Sequence, residues 1–182
     1  MTSDAFWTGI FGRPAPVEVE IGAGRGAFLF AAAAAAPERN FLAIEHSYSR
    51  ARHLEQTALQ AGLDNVRVVR ADASCVVTSL LPDGALIAFH IYFPDPWWKR
   101  RHHRRRLFTP AFVAGLHRTL VAGGRVQVAT DVSEYFALIT KLLSAKFTCA
   151  PQTPAFTAPT RFAEKALQRG AAIHAASFIK RD

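Results

Sequence analysis

The sequence predicts an α/β fold: one domain built on an open, nucleotide-binding type of sheet. Three observations predict it. The alternating segment Val17–Ile21 runs straight into a glycine loop, Gly22-Ala23-Gly24-Arg25-Gly26, and a helical stretch follows at 27–36. Strand, glycine turn and helix open a nucleotide-binding βα unit. Strand-like and helix-like segments then alternate to the end of the chain. Residues 85–93 are nearly unbroken in hydrophobicity, as a central strand covered on both faces must be.

In order along the chain, residues 1–16 read as an irregular lead-in whose aromatics (Phe6, Trp7, Phe11) cap the core. VEVEI alternates apolar and acidic residues, which suits a strand with an open side at its end. The alanine run 31–36 lies inside a helix, since alanine is the best helix former, and Pro37 ends it. FLAIE at 41–45 is the second strand, 47–61 a helix stopped by Gly62, and 66–70 the third strand. A short helix at 74–80 and a turn at 81–84 lead to the fourth strand. The substrate-loop candidate 94–108 comes next, then a helix at 109–120 with Thr109 as N-cap and Pro110 in its first turn. Gly123-Gly124 turns into a fifth strand at 125–129. A helix at 132–146, a sixth strand opening at 147–150, a proline-restricted loop at 151–160, a short helix at 162–169 and a last strand at 173–180 complete the chain.

Composition narrows the function classes. The 182 residues are half hydrophobic with a net charge of +8, which describes a folded domain with its own core. Residues 99–106 hold six of the 22 basic residues and no acid, leaving 16 basic against 14 acidic residues elsewhere. The basicity is therefore local, as on a surface that docks a polyanion. The two cysteines, Cys75 and Cys149, form no C-x-x-C pair and are expected to be reduced and packed, so no metal site is expected. His102 and His103 read as solvated or phosphate-facing. The N-terminus has no signal-peptide pattern and no segment is long enough to span a bilayer, so the expectation is a cytoplasmic protein without membrane contact.

The chemistry is expected at the carboxyl ends of the strands. Glu20 precedes the glycines Gly22, Gly24 and Gly26; Glu45 ends the second strand, placed for ribose hydroxyls; Asp72 follows the third; Asp95 follows the fourth; Asp131 follows the fifth. Asp72 has two readings, recognition of a base edge or N-cap of the short helix. Carboxylates around one pocket would repel a pyrophosphate and suit a cation, which favours S-adenosylmethionine over a dinucleotide. The segment FPDPWWKRRHHRRR at 93–106 sets Asp95 among two prolines and two tryptophans, directly before the basic run. Trp97 and Trp98 are open to two roles, stacking on a splayed base or packing under the loop.

These blocks resemble the bacterial tRNA (guanine-N7-)-methyltransferases over nearly the whole chain. Trp7…Phe11-Gly12…Pro16 with VEVEIGAGRG, NFLAIE at 40–45, NVRVVRADA at 65–73, FPDPWWKRRHHRRR, ATDVSEY at 129–135 and PTRFAEKALQRG at 159–170 occur in the family's order. The resemblance implies a Rossmann-like class I methyltransferase with a mostly parallel seven-stranded sheet, an antiparallel last strand and helices on both faces. It implies methylation of guanine N7 in tRNA, at position 46 of the variable loop; a monomer or weak homodimer is expected. Donor binding is implied for Glu20, Gly22, Gly24, Gly26, Glu45, Asp72, Ala73 and Asp95, with Asp95 central to catalysis. Substrate contacts are implied for Lys99, Arg104, Arg105, Arg106, Asp131, Thr160, Arg161, Phe162 and Glu164, with 151–165 a second substrate loop. Ala163 stands where the family has Glu, Ala166 where it has glycine, and Trp98 where it has a small residue or proline. A divergent paralogue that binds RNA and donor without methyl transfer is the competing reading, kept open by Ala163.

Overall fold

The computed structural model describes residues 2–150 and 161–181; the loop 151–160, with Thr160, and the side chain of Arg161 lie outside the described residues. Seven strands form one sheet in the order β3-β2-β1-β4-β5-β7-β6. They are β1 Val17–Ile21, β2 Asn40–Glu45, β3 Val66–Arg70, β4 Leu86–Tyr92, β5 Leu120–Thr130, β6 Phe147–Ala150 and β7 His174–Lys180. β1 to β5 are parallel, and β7 runs antiparallel to both β5 and β6. No helix among the described residues is long and apolar enough to cross a membrane.

Helices cover both faces. α2 Ala27–Ala35 and α3 Tyr48–Gln60 bury Leu29, Ala33, Leu54 and Ala58 against Phe41 and Ala43. The opposite face is the larger core. There α1 Ser3–Phe11, α4 Ala73–Cys75 with the π-turn Val76–Leu80, α5 Pro110–Thr119 and α6 Ser133–Leu143 pack on Val17, Val19, Phe89, Ile91, Val126 and Val128. α7 Arg161–Gln168 precedes β7.

Four expectations are corrected. The lead-in is a helix: Thr2 accepts the Ala5 N–H, Gly12 closes the end in a left-handed conformation, and Trp7 and Phe11, one turn apart, are buried. The Trp7 indole N–H donates to the Ala85 carbonyl at 2.9 Å, tying α1 to the start of β4. The acidic side of β1 is not open, because Glu18 and Glu20 are as buried as their apolar neighbours. β5 begins earlier than 125: Leu120 already pairs with Leu86, and the register then jumps to Ala88 and Arg125. A bulge absorbs Val121 to Gly124, and a Cβ on Gly124 would sit 2.9 Å from the Val121 carbonyl. Both cysteines are free but exposed, not packed.

Candidate active site

β1 and β4 are neighbours at the centre of the sheet, and the chain departs from them in opposite directions. The crevice at such a switch point is where open α/β sheets take ligands. A cavity of about 200 Å³ opens there, lined by Glu20, Gly22, Ala23, Gly24, Arg25, Ala27, Arg50, Tyr92, Phe162 and Lys165. Gly22 and Gly24 have φ of +74° and +61°, and a Cβ on either would meet nothing closer than 3.8 Å. The loop thus takes a turn that side chains disfavour and leaves room beside its backbone. Gly26 does different work. A Cβ there would lie 2.3 Å from Phe30 Cε2 and 2.7 Å from Leu54 Cδ2, so it lets α2 pack on α3 and does not line the cavity.

Glu20 is 4% exposed and its Oε2 has no hydrogen-bond partner. Burial pushes its carboxyl up to about 8; the Leu29 N–H opposes this and the nearby Glu45 charge adds to it. Glu45 lies under the glycine loop. Its Oε2 accepts the Gly24 N–H at 3.1 Å, and its Oε1 accepts the Ser47 N–H at 2.9 Å and the Arg50 Nε–H at 3.2 Å. Asp72 is exposed and accepts the Cys75 N–H at 2.9 Å. Of its two readings, the N-cap is the one with a bond in the structure, and Ala73 opens the helix it caps.

Asp95 leaves the carboxyl end of β4 in an exposed, tightly shaped turn. Its Oδ1 accepts the Trp97 N–H at 3.0 Å, as in an Asx-turn. Phe93 and Trp97 have φ of +51° and +46°, conformations that bulky residues keep only where the surroundings impose them. Arg106 helps to impose them: its Nε–H donates to the Pro96 carbonyl at 2.7 Å, and its guanidinium lies 4.9 Å above the buried Tyr135 ring. Trp97 is half-buried, edge-on to His102 and beneath the Arg105 guanidinium at 5.0 Å, so it packs within the loop. Trp98 is 72% exposed. The segment Arg100–Arg105 is a short 3-10 helix, and Lys99, Arg104 and Arg105 are exposed. Arg106 is thereby set apart from its basic neighbours, because its donor group holds the loop.

Asp131 is exposed just past β5. On α7, Phe162 stacks on Phe93 with ring centroids 6.1 Å apart and 19° between planes. Ala163 and Ala166, three residues apart on one face, are 1% and 2% exposed, while Glu164 points to solvent. The cavity therefore unites Glu20, Gly22, Gly24 and Phe162 from the sequence reading, and its lining leaves out Glu45, Asp72, Asp95, Lys99 and Asp131. Sequence reasoning missed Arg25, Arg50, Tyr92 and Lys165. Arg50 carried a signal, since it stands one helical turn into the segment after Glu45. Tyr92 carried another, since strand alternation puts it on the same face as His90.

Residues 14–176 match a family described as "Putative methyltransferase". The chain is 42% identical over 176 residues to a tRNA (guanine-N(7)-)-methyltransferase of Halorhodospira halophila, covering 91% of this chain and 75% of that protein. Against a protein of the same name from Aeromonas hydrophila it is 43% identical over 136 residues, 75% of this chain and 57% of the relative. For the relative from Neisseria gonorrhoeae the figures are 43% over 124 residues, 68% and 52%. The chain thus spans little more than half the length of the latter two. In fold it is similar to the 16S rRNA methyltransferase KamB (TM-score 0.72, 16% identity, 100% of this chain and 95% of that one). It is also similar to TrmN from Thermus thermophilus (TM-score 0.67, 20% identity, 98% and 48%).

Proposed function

The chain belongs to the family of tRNA (guanine-N(7)-)-methyltransferases, and on that premise we propose that it moves a methyl group from S-adenosylmethionine to N7 of a guanine in tRNA, at position 46 of the variable loop. The observation that carries this reading is the buried Glu20 carboxyl in the wall of the glycine-lined cavity. Glu20 Oε2 is a buried carboxylate oxygen without a partner in the cavity wall. Such a group is costly to bury unless a cation or donor meets it, and the donor carries an ammonium and a sulfonium where a dinucleotide carries an anionic pyrophosphate. The residues present fit that group. Glu20 would hold its amino-acid end and the Gly22–Gly24 backbone its approach, while Glu45, whose oxygens hold the glycine loop and Arg50, and Asp72, outside the lining, would have to turn toward its ribose and base. Bound there, the donor supplies a methyl carbon made electrophilic by the attached sulfonium.

The chain's own part is positioning. Guanine N7 has an in-plane lone pair and no proton, so no general base is required, and orientation supplies the main rate gain. Asp95 stands fixed in its turn at the end of β4. Its carboxylate would stabilise positive charge growing on the purine and accept hydrogen bonds from the N1–H and N2–H edge. Asp131 is the second carboxylate on that side. Trp98 and Phe162 present exposed ring faces on which a splayed base could stack. Lys99, Arg104 and Arg105 would grip phosphates, with the segment around Thr160, Arg161 and Glu164 closing over the base. The protein would act in the cytoplasm as a monomer or weak homodimer.

Labelled S-adenosylmethionine and unmodified tRNA, followed by nucleoside analysis, test the reading: N7-methylguanosine is expected. Donor binding without transfer would instead identify a paralogue that holds RNA, and transfer to another base would overturn the substrate. Asp95→Ala should abolish product formation while tRNA binding stays within a few-fold; retained turnover removes Asp95 from the chemistry.

A further inference from the structure

A continuous polar chain, buried from Glu18 to Tyr92, runs across three strands to the cavity wall. Arg39, at the start of the chain's approach to β2, donates from Nη1 to Glu18 Oε1 at 2.6 Å. Glu18 Oε2 lies 2.6 Å from His90 Nε2, and His90 Nδ1 lies 3.0 Å from the Tyr92 hydroxyl. The hydroxyl donates to Gln127 Oε1 at 3.2 Å. Apart from Arg39, these side chains come from β1, β4 and β5, and share one face because Glu20 pairs with His90 and His90 with Gln127 in the sheet register. Glu18, His90 and Tyr92 are all buried. Burial alone would raise the Glu18 carboxyl; the hydrogen bonds and charges of His90 and Arg39 outweigh it and hold the group below the usual carboxylate range. An ionised Glu18 only accepts, so the proton of the short bond belongs to His90 Nε2; Nδ1 then accepts, and the one phenol hydrogen of Tyr92 is shared between His90 Nδ1 and Gln127 Oε1 as alternative acceptors.

Tyr92 is where this chain meets the site. It lines the cavity with Glu20, and its hydroxyl is held by His90 and Gln127. Phe28 packs against both rings, 4.4 Å from His90 and 5.0 Å from Tyr92. The next residues are Phe93, with its left-handed φ, and the turn that carries Asp95. Strain at Phe93 persists only if the residue before it cannot give way.

We propose that Glu18, His90 and Tyr92 form a buried positioning relay, through which a Glu–His pair beneath the sheet face fixes the aromatic wall of the donor cavity and the launch angle of the Asp95 turn. The proposal deepens the methyltransferase reading and rests on it for the identity of the ligand. None of the three is a catalytic residue in this role; Glu18 and His90 act through Tyr92, and Tyr92 acts through the shape it holds.

The test has two readouts, and neither needs methyl transfer. In the free wild-type protein, proton NMR should show a far-downfield imidazole N–H from the short Glu18–His90 bond, absent in Glu18→Gln. Its absence from the wild type would overturn the relay at its first link. Second, calorimetric binding of S-adenosylhomocysteine should weaken about ten-fold in Tyr92→Phe, which keeps the ring and removes one oxygen, and about equally in His90→Gln. The double variant should be no worse than either single, since both break the same chain. Unchanged affinity in Tyr92→Phe, or fully additive losses, would overturn it. If His90→Gln fails to fold, Tyr92→Phe and the wild-type resonance still decide the matter. A protein that passes both readouts yet never methylates tRNA would refute the methyltransferase reading and leave the relay standing.

Discussion

Glu20 shows how one residue's surroundings set its chemistry. Its carboxyl is pushed up to about 8 by burial, so the free protein holds it protonated at neutral pH. A cationic ligand favours the carboxylate, so binding should release a proton. Donor affinity should therefore rise with pH until about 8 and level off above it. Calorimetry in buffers of different ionisation enthalpy measures that proton at pH 7, and no buffer dependence would refute the role. The stability sign follows the same shift. A raised carboxyl contributes fully below its usual value of 4.5 and loses that contribution as pH rises through about 8. Glu20→Gln should accordingly gain stability over the wild type at alkaline pH while binding the donor less well. The neighbouring glycines divide in a comparable way. Gly26→Ala places a methyl against Phe30 and Leu54 at φ +80° and should cost roughly 1–3 kcal/mol in urea unfolding. Gly24→Ala meets open space, so it should cost less stability and show instead as weaker donor binding.

The 94–106 segment joins two jobs within one element. In the sequence its arginines are indistinguishable; in the structure Arg104 and Arg105 face solvent, while Arg106 bonds the Pro96 carbonyl and covers Tyr135. Arg104→Ala with Arg105→Ala should weaken tRNA binding and lower the slope of log affinity against log salt by roughly 1–2, according to how many phosphate contacts are lost. Arg106→Ala should do something else: loosen the Asp95 turn, lower the rate, and leave the salt slope closer to that of the wild type. Equal salt slopes for the two variants would show that Arg106 is a phosphate contact after all. α7 carries a second lesson at this scale. Ala163 and Ala166 are buried at a spacing of three, which a helix turns to one face. The small residues that depart from the family pattern in this segment form the buried side of the helix. The residue beside them, Glu164, is exposed.

Across the whole molecule, the sheet's two faces differ in kind. One is a continuous apolar core under α1, α4, α5 and α6, whereas the α2 face of β1 and β4 carries Glu18, Glu20, His90 and Tyr92. Glu18, held below the usual carboxylate range, contributes stability above that range and loses it as pH falls through its folded value. Acid unfolding of the wild type should therefore be steeper than that of Glu18→Gln when the unfolding midpoint is followed against pH; parallel curves would mean that the Glu18 network adds nothing. The element order, the glycine loop, the acid that ends β2 and the turn holding Asp95 were all legible in the sequence, because each is a local pattern in which neighbouring residues set their own backbone. The α1 helix was missed: Thr2, Gly12 and the Trp7–Phe11 spacing carry its signal, but aromatics among prolines read as irregular chain. Alternation in VEVEI showed that β1 has an acidic side; whether that side met water or protein depended on α2, β4 and Arg39 arriving from elsewhere. Local patterns in the chain are enough for the strands, the loop and the carboxylates at strand ends. Packing sets which of them are buried, which of the arginines is bound to its own loop, and that His90 bridges Glu18 to Tyr92. Those outcomes depend on contacts between residues as many as 72 positions apart, and desolvation and hydrogen bonding there are properties of the packed neighbourhood, not of the local chain.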